Sequence, residues 1–348
     1  MIASNIFVLA TLLLTPAPPP APAAEPPAIT LPGGPPVGMD YLAYDAATDR
    51  VWVPAGNTGN VDVVEAATGK VTTLRGFPTA PPRRPDRPRM GPSSATVAEG
   101  VVWIGDRADR RLTAYDAKTL ARRAVVQLPS MPDGLQFVRR TREVWVTTPG
   151  DSSLTIVGLA GKGAGKERTP RVVDTMRLAG APEGYAVDEA RGIFYTNLEG
   201  DDQTLAIDVA TRTVTATWPA TCGAEGPRGL AIDEARRWLF VACTNGARVL
   251  DLAHDGKVIG RVDTGAGVDN LAYDAARRRL FVASARAGDL VVAEVADGGA
   301  LRLLATVATA PGARNPVVDA RGAAYVEDTA GGRLLVVPVP AIEPRAPR

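Results

Sequence analysis

Seven side chains at intervals of 53, 40, 50, 45, 41 and 45 residues carry most of the chemistry this sequence offers: Asp40, Ser93, Asp133, Glu183, Arg228, Asp269 and Arg314. Asn270 and Asn315 directly follow the last acid and the last arginine. Four of the seven are acidic and two are arginines, so a fold that gathers them sets opposite charges side by side. Three chemistries compete at such a place. The residues can pair with one another and cap the strands they lead into. They can bind a small polar ligand. Asp40, Asp133, Glu183, Asp269 and Asn270 can also hold a divalent cation such as Ca²⁺, which takes several oxygen ligands, although Arg228 and Arg314 compete for the same carboxylates.

The composition narrows the choice. His254 is the only histidine in 348 residues. That removes Ser-His-Asp triads, histidine-rich zinc or copper sites and CxxCH haem attachment. No other cofactor is indicated. Lys+Arg is 39 and Asp+Glu 38, so there is no bulk attraction to nucleic acid. Cys222 and Cys243 are the only cysteines and form no CxxC motif. They are expected to form a disulfide in an oxidising compartment, with two thiols as the alternative.

The elements that position these residues emerge from self-similarity. GPRGLAIDEARRWLFVACTNGARVLDL from Gly226 and GVDNLAYDAARRRLFVASARAGDLVVAEV from Gly267 share one frame. An apolar strand ends in Asp, a tight polar turn follows, and then an LFVA-type strand, a loop and two further strands. Copies begin near Val37 and Pro182, with weaker ones at Pro92, Pro132 and Ala313. The first strand ends at Asp45, Ala98, Val138, Asp188, Asp233, Asp274 and Asp319. Units of this length with four short strands predict an all-β, seven-bladed β-propeller with four antiparallel strands per blade. The last copy supplies three strands, and Ala28–Pro32 is expected to close the ring as the fourth.

Each of the seven candidate residues lies five places before its anchor, where the innermost strand should start at the upper mouth of the channel. The loops between second and third strands add Asn57, Asp106, Asp151, Glu199, Asp201, Asp202, Asn245, Arg286 and Asp328 on that face. The insertion from Pro78 to Pro92 places Arg83, Arg84, Arg87 and Arg89 against Asp86, either as a lid that attracts anions or as a solvated loop. A second insertion runs over residues 160–171. Trp52, Trp103, Trp145, Phe240 and Phe281 read as packing between blades, and His254 as a turn residue on the lower face.

GLAID (229–233) with LFVAC (239–243), LAYD (271–274) with LFVAS (280–284), and AVD (186–188) with IFYTN (193–197) carry a resemblance. The pattern resembles the YVTN-type repeat family, which includes YncE-like periplasmic propellers. It covers essentially the chain after the leader and specifies fold far better than function.

The N-terminal IFVLATLLL run (6–14), followed by an Ala/Pro-rich stretch, predicts a signal peptide over residues 1–24 and a propeller domain over 25–348. A periplasmic or secreted monomer follows, with no membrane span after cleavage. The leading function is a binding or interaction scaffold for an unidentified protein or small polar ligand. The alternative is a metal-assisted hydrolase or lyase acting on a lactone-like polar substrate at the channel mouth, similar in architecture to gluconolactonases and streptogramin lyases.

Overall fold

Alternating apolar residues, stopped every five to seven positions by Asp, Gly or Thr turns, leave each segment one outcome: a short strand that hydrogen-bonds its chain neighbours. The computed structural model describes residues 25–85, 88–159 and 169–338. The expected signal peptide, Asp86 and Arg87 of the basic insertion, and residues 160–168 of the second insertion lie outside the described residues. Seven antiparallel four-stranded sheets form, each in simple up-and-down order apart from the last. No α-helix is present among the described residues; three short 3₁₀ turns are.

The sheets are the seven blades. From the channel outwards, blade four comprises Pro182–Asp188, Ile193–Leu198, Gln203–Asp208 and Thr213–Pro219. Blades five and six start at Pro227–Asp233 and Val268–Asp274. Blade seven runs Arg314–Val318, Ala324–Asp328 and Arg333–Val337, and takes its outer strand from Ala28–Thr30. The register is Ala28 with Leu335, Ile29 with Leu334 and Thr30 with Arg333. Flanking bonds from Leu31 N to Gly332 O (2.9 Å) and from Val336 N to Pro27 O (2.7 Å) extend the seam. The ring therefore closes as the repeat arithmetic requires.

The apolar interior is divided rather than single. Each buried cluster is shared by two adjacent blades: Trp52, Val61 and Val63 of blade one pack on Ala95, Val102 and Ile104 of blade two. Trp145 of blade three meets Phe194 of blade four at 4.9 Å between ring centroids. Leu31, Tyr325 and Leu334 of blade seven join Val37, Val51 and Val53 of blade one. A sheet with two apolar faces cannot be stable alone, so every blade depends on both neighbours. The large aromatics are interblade filler, as their recurrence at equivalent second-strand positions indicates.

The lower ends of the inner strands are held by a repeated polar device. Asp188, Asp233 and Asp274 each accept a backbone N–H and a guanidinium bond from the arginine three residues on: Arg191, Arg236 and Arg277. Arg191 and Arg277 also donate to carbonyls of the next blade, Glu234 O and Ala320 O. Tyr273 donates to Asp233 at 2.7 Å. Burial alone would raise the Asp233 carboxyl, but its hydrogen bonds from Tyr273 and Arg236 outweigh it and hold the pKa below the usual value. His254 sits exposed in a lower turn, 2.7 Å from Asp251.

Candidate functional site

At the upper ends of the inner strands the register slips. In blades four to seven the ladder is interrupted between Glu183 and Ala186, Pro227 and Leu230, Val268 and Leu271, and Arg314 and Val317. Such bulges re-aim side chains next to functional openings. Gly184 has φ +68°, and a Cβ there would strike the Arg228 carbonyl of the next blade. Asn315 adopts φ 50° without being glycine, an uncommon conformation that asparagine tolerates better than most residues. The slips lead Glu183, Arg228, Asp269 and Arg314 into the channel mouth.

The mouth residues form a linked set. Asp40 of blade one accepts from Arg107 at 2.6 Å, and the same guanidinium donates to Asp133 of blade three. Arg314 donates to Asp269 at 2.7 Å and to Met39 O at 3.4 Å. Asn315 donates to both the carbonyl and the carboxylate of Asp40, each at 3.1 Å. Tyr41 donates across the ring to Glu183 at 3.1 Å. Arg228 turns instead to Glu199 in the second-to-third strand loop of blade four, while its carbonyl accepts from Asn197. Ser93 is buried and short, and its hydroxyl has no partner. Asn270 accepts from Leu271 N at 2.9 Å and lines the channel below the mouth rather than the carboxylate set.

Burial lifts Asp133 to about 6 despite the guanidinium of Arg107, and the charges of Asp40 and Asp269 add to the rise. Burial, then the charges of Asp133, Asp269 and Asp40, holds Glu183 well above the usual carboxyl range. Asp269 is raised by burial against the pull of Arg314. Glu327, fully buried at the upper end of the second strand of blade seven, is driven well up by burial although Arg314 opposes it. Neither of its carboxyl oxygens has a hydrogen bond, and Arg314 Nε stands 3.8 Å away. Burial works against the charge of Arg107, but Asp133 and Asp40 outweigh it and keep the guanidinium protonated.

Below this set, Tyr41 and Tyr185 lie 5.4 Å apart, tilted by 35°. They floor the mouth and roof a channel cavity of about 320 Å³ lined further by Leu42, Gln136, Leu230, Leu271 and Val317. The charged side chains therefore lie above the tyrosines, and tyrosine, amide and aliphatic ones below them.

The loop candidates divide. Glu199 reaches the mouth through Arg228. Asp106 is buried and burial raises it to about 7, yet its bonded oxygen accepts Ala108 N at 2.7 Å as in a turn. Asn57 accepts from Gly38 N and donates to Pro36 O, holding the lead into blade one. Asp151 accepts from Ser153, Asp202 from the amides of Cys222 and Gly223, and Asp328 from Arg333 and Gly331 N. Asp201 lies beside Gly180. Asn245 and Arg286 line a separate surface pocket of about 310 Å³ with Cys222 and Thr244. Cys222 and Cys243 are joined, with Cα atoms 5.1 Å apart. Among the described residues no three His, Cys, Asp or Glu side chains lie close enough together to hold a metal ion.

Arg107, Tyr41 and Glu327 were not signalled by the repeat. Arg107 enters from a loop because blade two offers only Ser93 at the ring position, and that gap in an otherwise long-chained ring was the available clue.

No family model matches the sequence, and no curated protein does. The fold is widely shared among solved structures. A chain of a mitotic checkpoint complex superposes with a TM-score of 0.72 at 14% identity, covering 96% of this chain and 99% of that one. A chain of hydrazine synthase from Kuenenia stuttgartiensis gives 0.70 at 12%, over 88% and 97%. A streptogramin B lyase structure gives 0.68 at 10%, over 89% and 97%. At these identities the likeness is one of propeller fold alone.

Proposed function

We propose that this chain is a non-catalytic binding propeller of the YVTN repeat type, working in the periplasm or outside the cell, with a small polar ligand seated in the upper mouth. One observation carries the reading: among the described residues, six of the buried side-chain polar atoms without a hydrogen-bond partner belong to the mouth, the others being spread through the ring. The six are Ser93 Oγ, Arg107 Nε, Asp133 Oδ2, Asn315 Oδ1 and both oxygens of Glu327. Buried donors and acceptors are ordinarily paired, and each one left unmade costs about 1–3 kcal/mol. A polar ligand above Tyr41 and Tyr185 supplies the missing partners. The Cys222–Cys243 bond supports an oxidising compartment, and the GLAID/LFVAC-type repeats support the family.

A thermal-shift screen of polar small molecules, repeated on Asp133→Asn, tests this. Stabilisation by a ligand that the variant no longer feels is the expected result. No stabilising compound, together with a crystal structure of the soaked protein showing only water at these atoms, would overturn it.

The metal-assisted hydrolase or lyase retains one observation in its favour. Glu183 and Asp133 are carboxyls raised toward neutrality, the condition for general acid–base work. A metal would have to displace Arg107 from Asp40 and Asp133. Turnover of a lactone with Ca²⁺ or Mn²⁺, abolished by Glu183→Gln, would favour this second reading over a binding role.

A further inference from the structure

The charge balance of the mouth specifies what kind of ligand fits. Asp40, Asp133, Glu183, Glu199, Asp269 and Glu327 bring six carboxyl groups, and Arg107, Arg228 and Arg314 bring three guanidiniums. The arginines are already placed: Arg107 on Asp40 and Asp133, Arg228 on Glu199, Arg314 on Asp269. Glu183 then has only the Tyr41 hydroxyl. Glu327, with no solvent exposure, has no close hydrogen bond and meets only Arg314 Nε, at 3.8 Å, and the neighbouring Asn315 amide. A buried carboxyl short of donors is costly to ionise: the chain supplies Glu183 with one tyrosine hydroxyl and Glu327 with the Arg314 guanidinium at 3.8 Å, and burial favours the protonated form of each until further donors arrive.

The form of the missing cation follows from the spacing. The carboxyls are separated by arginines, and among the described residues no three converge as a metal ion requires. A compact ion would therefore find too few oxygens at one point. A group with several N–H donors spread over a plane or a short chain can reach carboxyls that do not converge. The protein shows the arrangement itself, since the Arg107 guanidinium lies between carboxylates contributed by blades one and three.

We propose that the ligand of the upper mouth is a small organic cation, an amine or guanidinium compound, drawn to Glu183 and Glu327. This rests on the binding function proposed above and narrows it to one ligand class. It does not involve the lower cavity, whose lining is tyrosine, amide and aliphatic.

Isothermal titration of the full chain with agmatine, arginine and putrescine is the direct test, with gluconate, glucose and CaCl₂ run in parallel. Binding of at least one organic cation is expected, weakened about tenfold or more by Glu327→Gln and separately by Glu183→Gln. Two variants are used so that a folding failure in one leaves the other decisive, and the melting temperature of each is recorded. Binding of gluconate or glucose alone would overturn the cation class while leaving a polar-ligand propeller intact. Binding of Ca²⁺ alone would overturn it in favour of the metal reading. Binding by none of these, with a melting curve unmoved by a wider polar screen, would sink both the class and the binding function. Organic-cation binding unaffected by either variant would place the ligand elsewhere and overturn the assignment to this mouth.

Discussion

The inner strands of blades four to six each have two polar ends, and the two ends behave in opposite ways. At the lower end Asp188, Asp233 and Asp274 repeat one device, each meeting an arginine three residues on and a backbone amide. At the upper end Glu183, Arg228 and Asp269 do not repeat: one meets a tyrosine, one a loop glutamate, one the arginine of the next blade. The lower anchors leave no buried side-chain atom unpaired, and neither do Glu183, Arg228 and Asp269, but the mouth they join does, at Ser93, Arg107, Asp133, Asn315 and Glu327. Identical solutions repeated around a ring mark what every blade needs in order to fold. Differences between equivalent positions mark what folding does not ask of every blade, which is where the binding role proposed above is placed.

Cutting the closing seam should produce the largest effect and should strike both ends together. Deleting residues 25–33 removes the Ala28–Thr30 strand and the buried Leu31. The expected loss is on the order of 5 kcal/mol or more, from a large apolar deletion plus several ladder bonds. An unchanged melting curve would refute the closure. Affinity at the mouth should fall with stability, because Arg314 and Glu327 belong to the unclosed blade.

Changing pH should then separate the ends by sign. Asp133, Glu183 and Glu327 bind protons more tightly folded than unfolded. Their contribution is complete below the unfolded carboxyl range and is lost as pH rises, between about 4 and 6 for Asp133. That loss is on the order of 3 kcal/mol for two pKa units. Asp233 and Asp251 lie below their usual values, Asp251 through His254 and Ala253 N against its burial. Their contribution is present above the unfolded range and is lost on acidification. Denaturant midpoints across pH 3 to 8 should show both limbs, and Asp133→Asn should flatten only the upper one.

A matched pair of carboxyl-to-amide changes sharpens the contrast further. Asp233→Asn weakens the acceptor for Arg236 and Tyr273 and should cost about 2 kcal/mol. Glu327→Gln loses no hydrogen bond and should shift stability by no more than about 1 kcal/mol, in the stabilising direction. Equal destabilisation by the two would erase the distinction between the faces. Smallest of all, His254→Ala should change the unfolding free energy by less than about 0.5 kcal/mol, as at an exposed turn.

What was legible in the sequence follows the same division. The strand–turn–LFVA frame recurs seven times, so the blade count could be read from it, and the three-stranded last copy pointed to Ala28–Pro32 as the closing strand. Counting five residues back reached the mouth as well, because strand length is fixed by the ladder. The pairing within the mouth could not be read. Arg107 comes from a loop, while Tyr41 and Glu327 hold repeat positions at which no other blade has a tyrosine or a glutamate. Arg228 illustrates the limit: its place at the mouth follows from the repeat, but its partner Glu199 depends on a loop conformation.

The closing seam also bears on how the chain acquires its shape. Ala28 pairs with Leu335, so one of the first strands synthesised waits for one of the last. Blade seven, and with it the Arg314–Glu327 side of the mouth, cannot be completed on a partly made chain. Such a distant pairing is entropically late and slow. A ring that finishes folding only when Ala28 meets Leu335 stays unlocked until its seventh blade has been made.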